Sequence, residues 1–171
     1  MDYSKRRGFC YPAGAIKDEK QIRTELGYAV RLQLNSARIW LPYARYVEDR
    51  EQFIRGLLRF VRIAHELGIT TMPILWNGNG LDPAILEPDF QENCDRYVTD
   101  VVTALRGEPG LFIWDIMNEP TCNDYIRKAD QADLDARYEK LWAFLRRSCA
   151  RIKSLDSVTP VTVGHTFVQD V

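Results

Sequence analysis

The chain has 171 residues, 46% of them hydrophobic and 27% charged, with a formal net charge of -1. A chain of this size supports one domain with a sizeable core, and so even a charge balance gives no basis for nucleic acid or an anionic membrane as a partner. No apolar run approaches the roughly 18 residues that a membrane-spanning helix needs. Met1-Asp2-Tyr3 opens without the apolar stretch of a secretion signal, so with Met1 as the true start a cytoplasmic location is expected. The four cysteines, Cys10, Cys94, Cys122 and Cys149, form no Cys-x-x-Cys pair, and the only histidines are His65 and His165. Reduced thiols are therefore expected, and a structural zinc site is not.

In chain order, Gly8-Phe9-Cys10-Tyr11 suits a short first strand opening into a loop at Pro12-Ala13-Gly14. Asp18 stands three residues before Gln21, a start resembling a capping box. Ile22, Leu26, Ala29, Val30 and Leu34 then recur at helical spacing, predicting a helix over 18–34 with one buried stripe. Asn35-Ser36 breaks that helix, and Ala37 to Leu41 reads as the second strand, stopped by Pro42. Asp49 to Leu67 predicts the second helix, with Phe53, Leu57, Val61 and Ala64 on one face and Gly68 at its C′ position. His65, in the last turn, complements the helix dipole. Ile69 to Leu75 is rich in β-branched residues and predicts the third strand; Trp76-Asn77-Gly78-Asn79-Gly80 reads as a loop. A third helix should run from near Asp89 to Arg106, burying Tyr97, Val98, Val101, Val102 and Leu105. After Glu108-Pro109-Gly110, the mostly apolar run from Leu111 to Pro120 reads as a buried fourth strand. A polar connection leads to a fourth helix over 134–155, and Val158 to Gly164 supplies the fifth strand, with His165 directly after it.

Strict β-α alternation implies a parallel sheet with right-handed crossovers. Two α/β architectures fit. A doubly wound sheet would be complete at this length, whereas a (β/α)8 barrel needs about 250 residues. Against the former, Tyr11-Pro12-Ala13-Gly14 lacks the G-x-G-x-x-G pattern of a phosphate loop, and no cofactor is expected. The polar residues gather instead after strands two, three, four and five. Glu119, at the carboxyl end of the fourth strand, stands where either architecture places its chemistry, although a Glu opening a loop is also an ordinary solvated charge.

The string Trp114-Asp115-Ile116-Met117-Asn118-Glu119-Pro120 resembles the strand-four signature of clan A glycoside hydrolases, the superfamily of the family 5 cellulases and mannanases. Asn35-Ser36-Ala37-Arg38-Ile39-Trp40 is similar to the strand-two element of the same superfamily. The resemblance covers essentially the whole chain but only the first five βα positions. It implies a parallel (β/α)8 barrel truncated after about strand five, with residues 1–171 forming a single N-terminal part. It further implies a retaining O-glycosyl hydrolase acting on a β-glycoside, with Glu119 as general acid/base. Asn118 would bind the sugar hydroxyl next to the reacting carbon, and Arg38 would contact the nucleophile; taken by position alone, Arg38 is equally a surface residue at a strand end. In the superfamily that nucleophile is a carboxylate at the end of strand seven, which this sequence does not reach, so the isolated chain is expected to be inactive alone. Asp115 is a poor substitute, because four residues of strand place it about 13 Å deeper. The family 5 pattern often has a His at the end of strand three; Ile74-Leu75-Trp76-Asn77 has none.

A retaining glycosidase sets two carboxyl groups roughly 5 to 5.5 Å apart, one to attack carbon one and one to protonate the leaving oxygen. Sugar binding calls for flat aromatic surfaces edged by amides. Trp40, Trp76, Asn77 and Asn79 lie at or just beyond strand ends and are candidates for this role. Trp40 is either core or cleft wall, while Trp76, in a polar loop, is expected to be an exposed stacking platform. His165 at the barrel mouth is either a substrate contact or structural. Thr121-Cys122-Asn123-Asp124 should shape the cleft, Cys122 having no nearby base in sequence. The alternative to an enzyme is a non-catalytic half barrel that binds carbohydrate or assembles with another chain. Unpaired edges at strands one and five would favour self-association.

Overall fold

The computed structural model describes residues 5–11 and 18–165; the loop expected at Pro12-Ala13-Gly14 lies outside the described residues. Five strands, β1 (Gly8–Tyr11), β2 (Ser36–Trp40), β3 (Thr70–Asn77), β4 (Trp114–Asn118) and β5 (Val161–Gly164), form one sheet. Every pairing is parallel, and the spatial order is β1-β2-β3-β4-β5. That order separates the two architectures. A doubly wound sheet reverses direction at a switch point, whereas here each strand lies beside its successor, as in the first five strands of a (β/α)8 barrel.

The connections are helical: α1 (Glu19–Arg31), α2 (Tyr43–Glu48), α3 (Arg50–Glu66), α4 (Gln91–Leu105), α5 (Asp124–Arg127) and α6 (Gln131–Leu155). Side-chain caps start two of the long helices. Asp18 accepts the Gln21 N–H at 3.0 Å, and Asp49 accepts the Gln52 N–H at 2.9 Å; such a cap contributes about 1 kcal/mol. The apolar stripes are largely buried: Ile22 and Leu26 of α1, Phe53, Leu57 and Val61 of α3, Tyr97, Val101 and Leu105 of α4, and Leu141, Leu145 and Ile152 of α6. Val30, expected on the α1 stripe, is exposed instead, and Leu34 lies beyond the end of that helix. All four cysteines are thiols.

Several boundaries differ from the sequence expectation: α1 stops at Arg31, α6 starts at Gln131 and β5 starts at Val161, and three further differences have visible causes. α2 is a single short helix after Pro42, too brief to show a periodic stripe. β4 begins at Trp114, because Leu111 makes only an isolated bridge to Thr71. β3 continues past Leu75 to Asn77, because Trp76 and Asn77 pair with Met117 and Asn118 of β4.

At the amino end of β4 a buried polar clasp ties the sheet to the turn after α6. The Trp114 indole N–H donates to Asp156 Oδ2 at 3.0 Å, and Asp156 Oδ1 accepts the backbone N–H groups of Val158 and Thr159 at 3.2 and 3.0 Å. Burial alone would push the Asp156 carboxyl up, but the hydrogen bonds from Thr159, Trp114 and Val158 outweigh it and hold it below its ordinary 3.8. A carboxylate lowered in the folded state stabilises the fold above its ordinary value, and that contribution disappears as pH falls through the folded value. Asp156→Ala should therefore cost about 1–3 kcal/mol at neutral pH and flatten the acid limb of the stability–pH curve measured by urea unfolding. An unchanged acid limb would contradict this role.

Candidate active site

Strands β2, β3, β4 and β5 line one polar cleft of about 270 Å³, whose residues include Arg38, Asp115, Asn118, Glu119, Gly164 and His165. Its floor is set by a charge inside the sheet. Asp115, in the middle of β4, is wholly buried. Arg38 reaches it from β2, with Nε and Nη2 donating to Asp115 Oδ2 at 2.9 and 2.5 Å. The remaining arm of the guanidinium, Nη1, donates to Asn118 Oδ1 at 2.8 Å. A guanidinium can only donate, so this bond fixes the orientation of the Asn118 amide. Asn118 Nδ2 is thereby turned the other way, toward Asn77 Oδ1 at 3.4 Å.

Burial pushes the Asp115 carboxyl above its ordinary 3.8 in spite of Arg38 beside it. Its Oδ1 is buried with no hydrogen-bond partner. Gly164 completes the fit from β5: a Cβ there would collide with the Arg38 guanidinium and lie 3.3 Å from Asp115 Oδ2.

Glu119 stands above this floor. Its backbone is left-handed, with φ 49°, a conformation costing a non-glycine residue about 1 kcal/mol or more. Neighbours hold it there. Its N–H donates to the Gly164 carbonyl at 2.6 Å, and its own carbonyl accepts the Cys122 N–H at 3.0 Å. The kink ends β4 and directs the chain into the turn at Pro120, where the buried Asn123 donates to the Pro120 carbonyl at 2.6 Å and caps α5 through the Ile126 N–H at 3.0 Å. Glu119 itself is half-buried, and among the described residues it is the one carboxylate of the cleft that meets solvent.

The structure thus brings Arg38, Asn118, Glu119 and His165 together. Trp40 is half-buried at the end of β2, its ring centroid 5.8 Å from the Arg38 guanidinium carbon. Asn77 and Asn79 are exposed, yet their amides bond to Asn118 and Glu119 respectively. His165 is half-buried, with its ring centroid 5.9 Å from that of Trp142 and its Nδ1 buried without a partner.

Trp76 corrects the sequence expectation. It is no exposed platform but 5% exposed, packed against Tyr43, Tyr97 and Phe144 with ring centroids 5.2, 4.9 and 5.5 Å away. Tyr97 and Phe144 belong to α4 and α6, so the extended β3 turns this indole toward the helices rather than the cleft. Sequence reasoning also overlooked Asp115 as an anchor and Gly164 as the space for Arg38. A charge within an otherwise apolar buried strand was the available signal for Asp115.

No family model matches the sequence. A probable mannan endo-1,4-beta-mannosidase C from Aspergillus terreus is 32% identical over 78 residues, covering 45% of this chain and 19% of that protein. Among solved structures, the endo-1,4-beta-D-mannanase of Thermotoga petrophila matches with a TM-score of 0.71 at 18% identity, covering 94% of this chain and 55% of that one. The endo-1,4-beta-mannanase of Rhizomucor miehei matches with a TM-score of 0.73 at 16% identity, over 94% of this chain and 56% of that one. The fold is that of the parallel (β/α)8 barrels, and the chain spans about half the length of the structures it matches. The resemblance to clan A glycoside hydrolases agrees with these comparisons, which match the chain to mannanases by fold and, over 78 residues, to a mannosidase by sequence.

Removing one partner of a buried ion pair strands the other charge, at a cost of about 3–5 kcal/mol. Arg38→Met should incur that loss at neutral pH. Arg38 lowers the Asp115 carboxyl against the burial that raises it, so removing Arg38 lets the carboxyl rise further, and taking up a proton then relieves the stranded charge. The deficit of Arg38→Met should therefore shrink as pH falls toward the ordinary carboxyl range, as read by chemical denaturation across pH. A deficit that is constant or grows on acidification would contradict the pairing.

Proposed function

We propose that this chain forms the acid/base half of a retaining β-glycoside hydrolase acting on a β-linked polysaccharide of the mannan type. The observation that carries the reading is the arrangement at the end of β4, where Arg38 fixes the Asn118 amide next to the solvent-facing carboxyl of Glu119. The substrate class is taken from the mannanases that the chain resembles.

In this reading the protonated Glu119 delivers its proton to the glycosidic oxygen as the bond to carbon one breaks, while a second carboxylate attacks carbon one from the opposite face. Glu119, now a carboxylate, then takes a proton from the water that displaces the second carboxylate and regenerates both groups. Asn118 Nδ2 donates to the hydroxyl next to the reacting carbon. The second carboxylate has to stand roughly 5 to 5.5 Å from Glu119. Asp115 does not serve: it is buried, and Arg38 occupies one of its oxygens. Further βα units would supply the missing group, on the model of an eight-stranded barrel. Residues 1–171 are then the N-terminal part of the barrel, and the chain alone does not hydrolyse glycosides.

One observation favours a second reading, a non-catalytic half barrel that binds carbohydrate. Asp115 already neutralises Arg38, so the floor of the cleft is electrostatically complete without a second carboxylate. In either case β1 and β5 end the sheet, and the side chains of β5 are only half-buried beside a largely apolar groove of about 460 Å³ lined by Trp142, Leu145 and Val163. Edges and grooves of this kind favour self-association or pairing with another chain.

The decisive experiment joins this chain to the last three βα units of a β-mannanase, confirms folding by circular dichroism, and follows release of reducing ends from manno-oligosaccharides. The joined protein should hydrolyse them, Glu119→Gln should lower the rate by about 10²- to 10⁴-fold, and the chain alone should show no turnover. Turnover by the chain alone that survives Glu119→Gln would overturn the reading.

A further inference from the structure

Asn79 points to a device that the proposed chemistry does not by itself require. It is an exposed residue in the turn after β3, yet its Nδ2 lies 2.6 Å from Glu119 Oε2. The pairing of Asn77 with Asn118 carries the turn across to the end of β4. Next to Asn79 is the buried Gly78, whose missing side chain is needed. A Cβ on it would collide with the Glu119 carbonyl oxygen and come within 2.6 Å of both the Asn118 oxygen and the Glu119 carbonyl carbon. These are backbone atoms and cannot swing aside as a flexible side chain would.

We propose that the turn Gly78–Gly80 is a positioning brace for Glu119, with Asn79 selecting the carboxylate oxygen that carries the proton. The proposal rests on reading Glu119 as the acid/base, and it makes Asn79 a positioning residue rather than the substrate contact expected from its place in the sequence. The amide Nδ2 can only donate, so the oxygen it faces has to be the unprotonated one. Oε2 is therefore committed to Asn79. Oε1, which has no hydrogen-bond partner among the described residues, is the oxygen left to hold and deliver the proton. Gly78 acts at the other end of the same residue. Its close approach leaves the left-handed Glu119 backbone little room to relax, while the Gly164 carbonyl and the Cys122 N–H hold the flanking peptide groups. One short turn thus constrains both the main chain and the carboxylate head of Glu119.

The test needs no substrate. The chain is prepared with ¹³C-labelled glutamate, and the Glu119 carboxyl resonance is assigned by its disappearance in Glu119→Gln. Asn79→Ala removes an exposed side chain and should leave the far-ultraviolet circular dichroism unchanged, yet it should move the Glu119 carboxyl resonance at fixed neutral pH. Asn77→Ala, whose amide bonds to Asn118 instead, should move it less. In ¹⁵N-labelled protein the Asn79 side-chain amide pair should return to the position of a free amide in Glu119→Ala. Gly78→Ala should move the Glu119 backbone amide; if it fails to fold, the Asn79 pair of measurements decides alone. A Glu119 carboxyl resonance unmoved by Asn79→Ala, or an Asn79 amide indifferent to Glu119→Ala, would overturn the brace. Because nothing is hydrolysed in these spectra, that failure would leave the glycosidase reading standing, and an inactive joined enzyme would leave the brace standing.

Discussion

The structure depends on one half-buried cation held against a buried carboxylate. Arg38 is the only described side chain that reaches both Asp115 and Asn118, and it does so with all three of its terminal donor directions used. An aspartate inside a parallel strand is unfavourable unless a counter-charge lies against it. With Arg38 present, that same aspartate becomes the anchor that aims the guanidinium at Asn118. The neighbouring strand then has to yield space, which is why β5 carries Gly164 at this level. Three strands are thereby committed to one another by a single planar group.

Above that floor, strain and restraint are combined at Glu119. A left-handed non-glycine residue persists only where the surroundings over-determine it. Here they do so through the Gly164 carbonyl, the Cys122 N–H and the close passage of Gly78. The outlier sits at the solvent-facing carboxylate of the cleft among the described residues, where a relaxed backbone would leave the head group free to wander. The clasp of Trp114 and Asp156 at the opposite end of β4 is the structural counterpart: it fixes where the strand begins, while Glu119 fixes how it ends.

Much of this was legible in the sequence wherever the cause is local. The cap at Asp18, most of the apolar stripes of the long helices and the buried run around Trp114 follow from spacing alone. Arg38, Asn118 and Glu119 could be singled out because they stand at strand ends in a pattern resembling known barrels. What escaped depends on partners distant in sequence. The alternation of strands and helices alone fits both a doubly wound sheet and a barrel; the resemblance chose the barrel, and the sequential pairing from β1 to β5 bears it out. Trp76 looked like loop because glycines follow it, yet pairing with Met117 draws it into β3 and under α4 and α6. Asn79 looked like a substrate contact because its partner lies 40 residues away.

The glycosidase function requires that the cleft over Arg38 and Asn118 take a sugar. The direct measurement is a titration of the ¹⁵N-labelled chain with a manno-oligosaccharide, followed residue by residue. The arrangement predicts concerted, saturable shifts at Asn118, Glu119, Gly164, His165 and the Trp40 indole, with Asn118→Ala abolishing them while the fold persists. Saturable shifts confined to residues away from this cleft, or binding indifferent to Asn118→Ala, would contradict it.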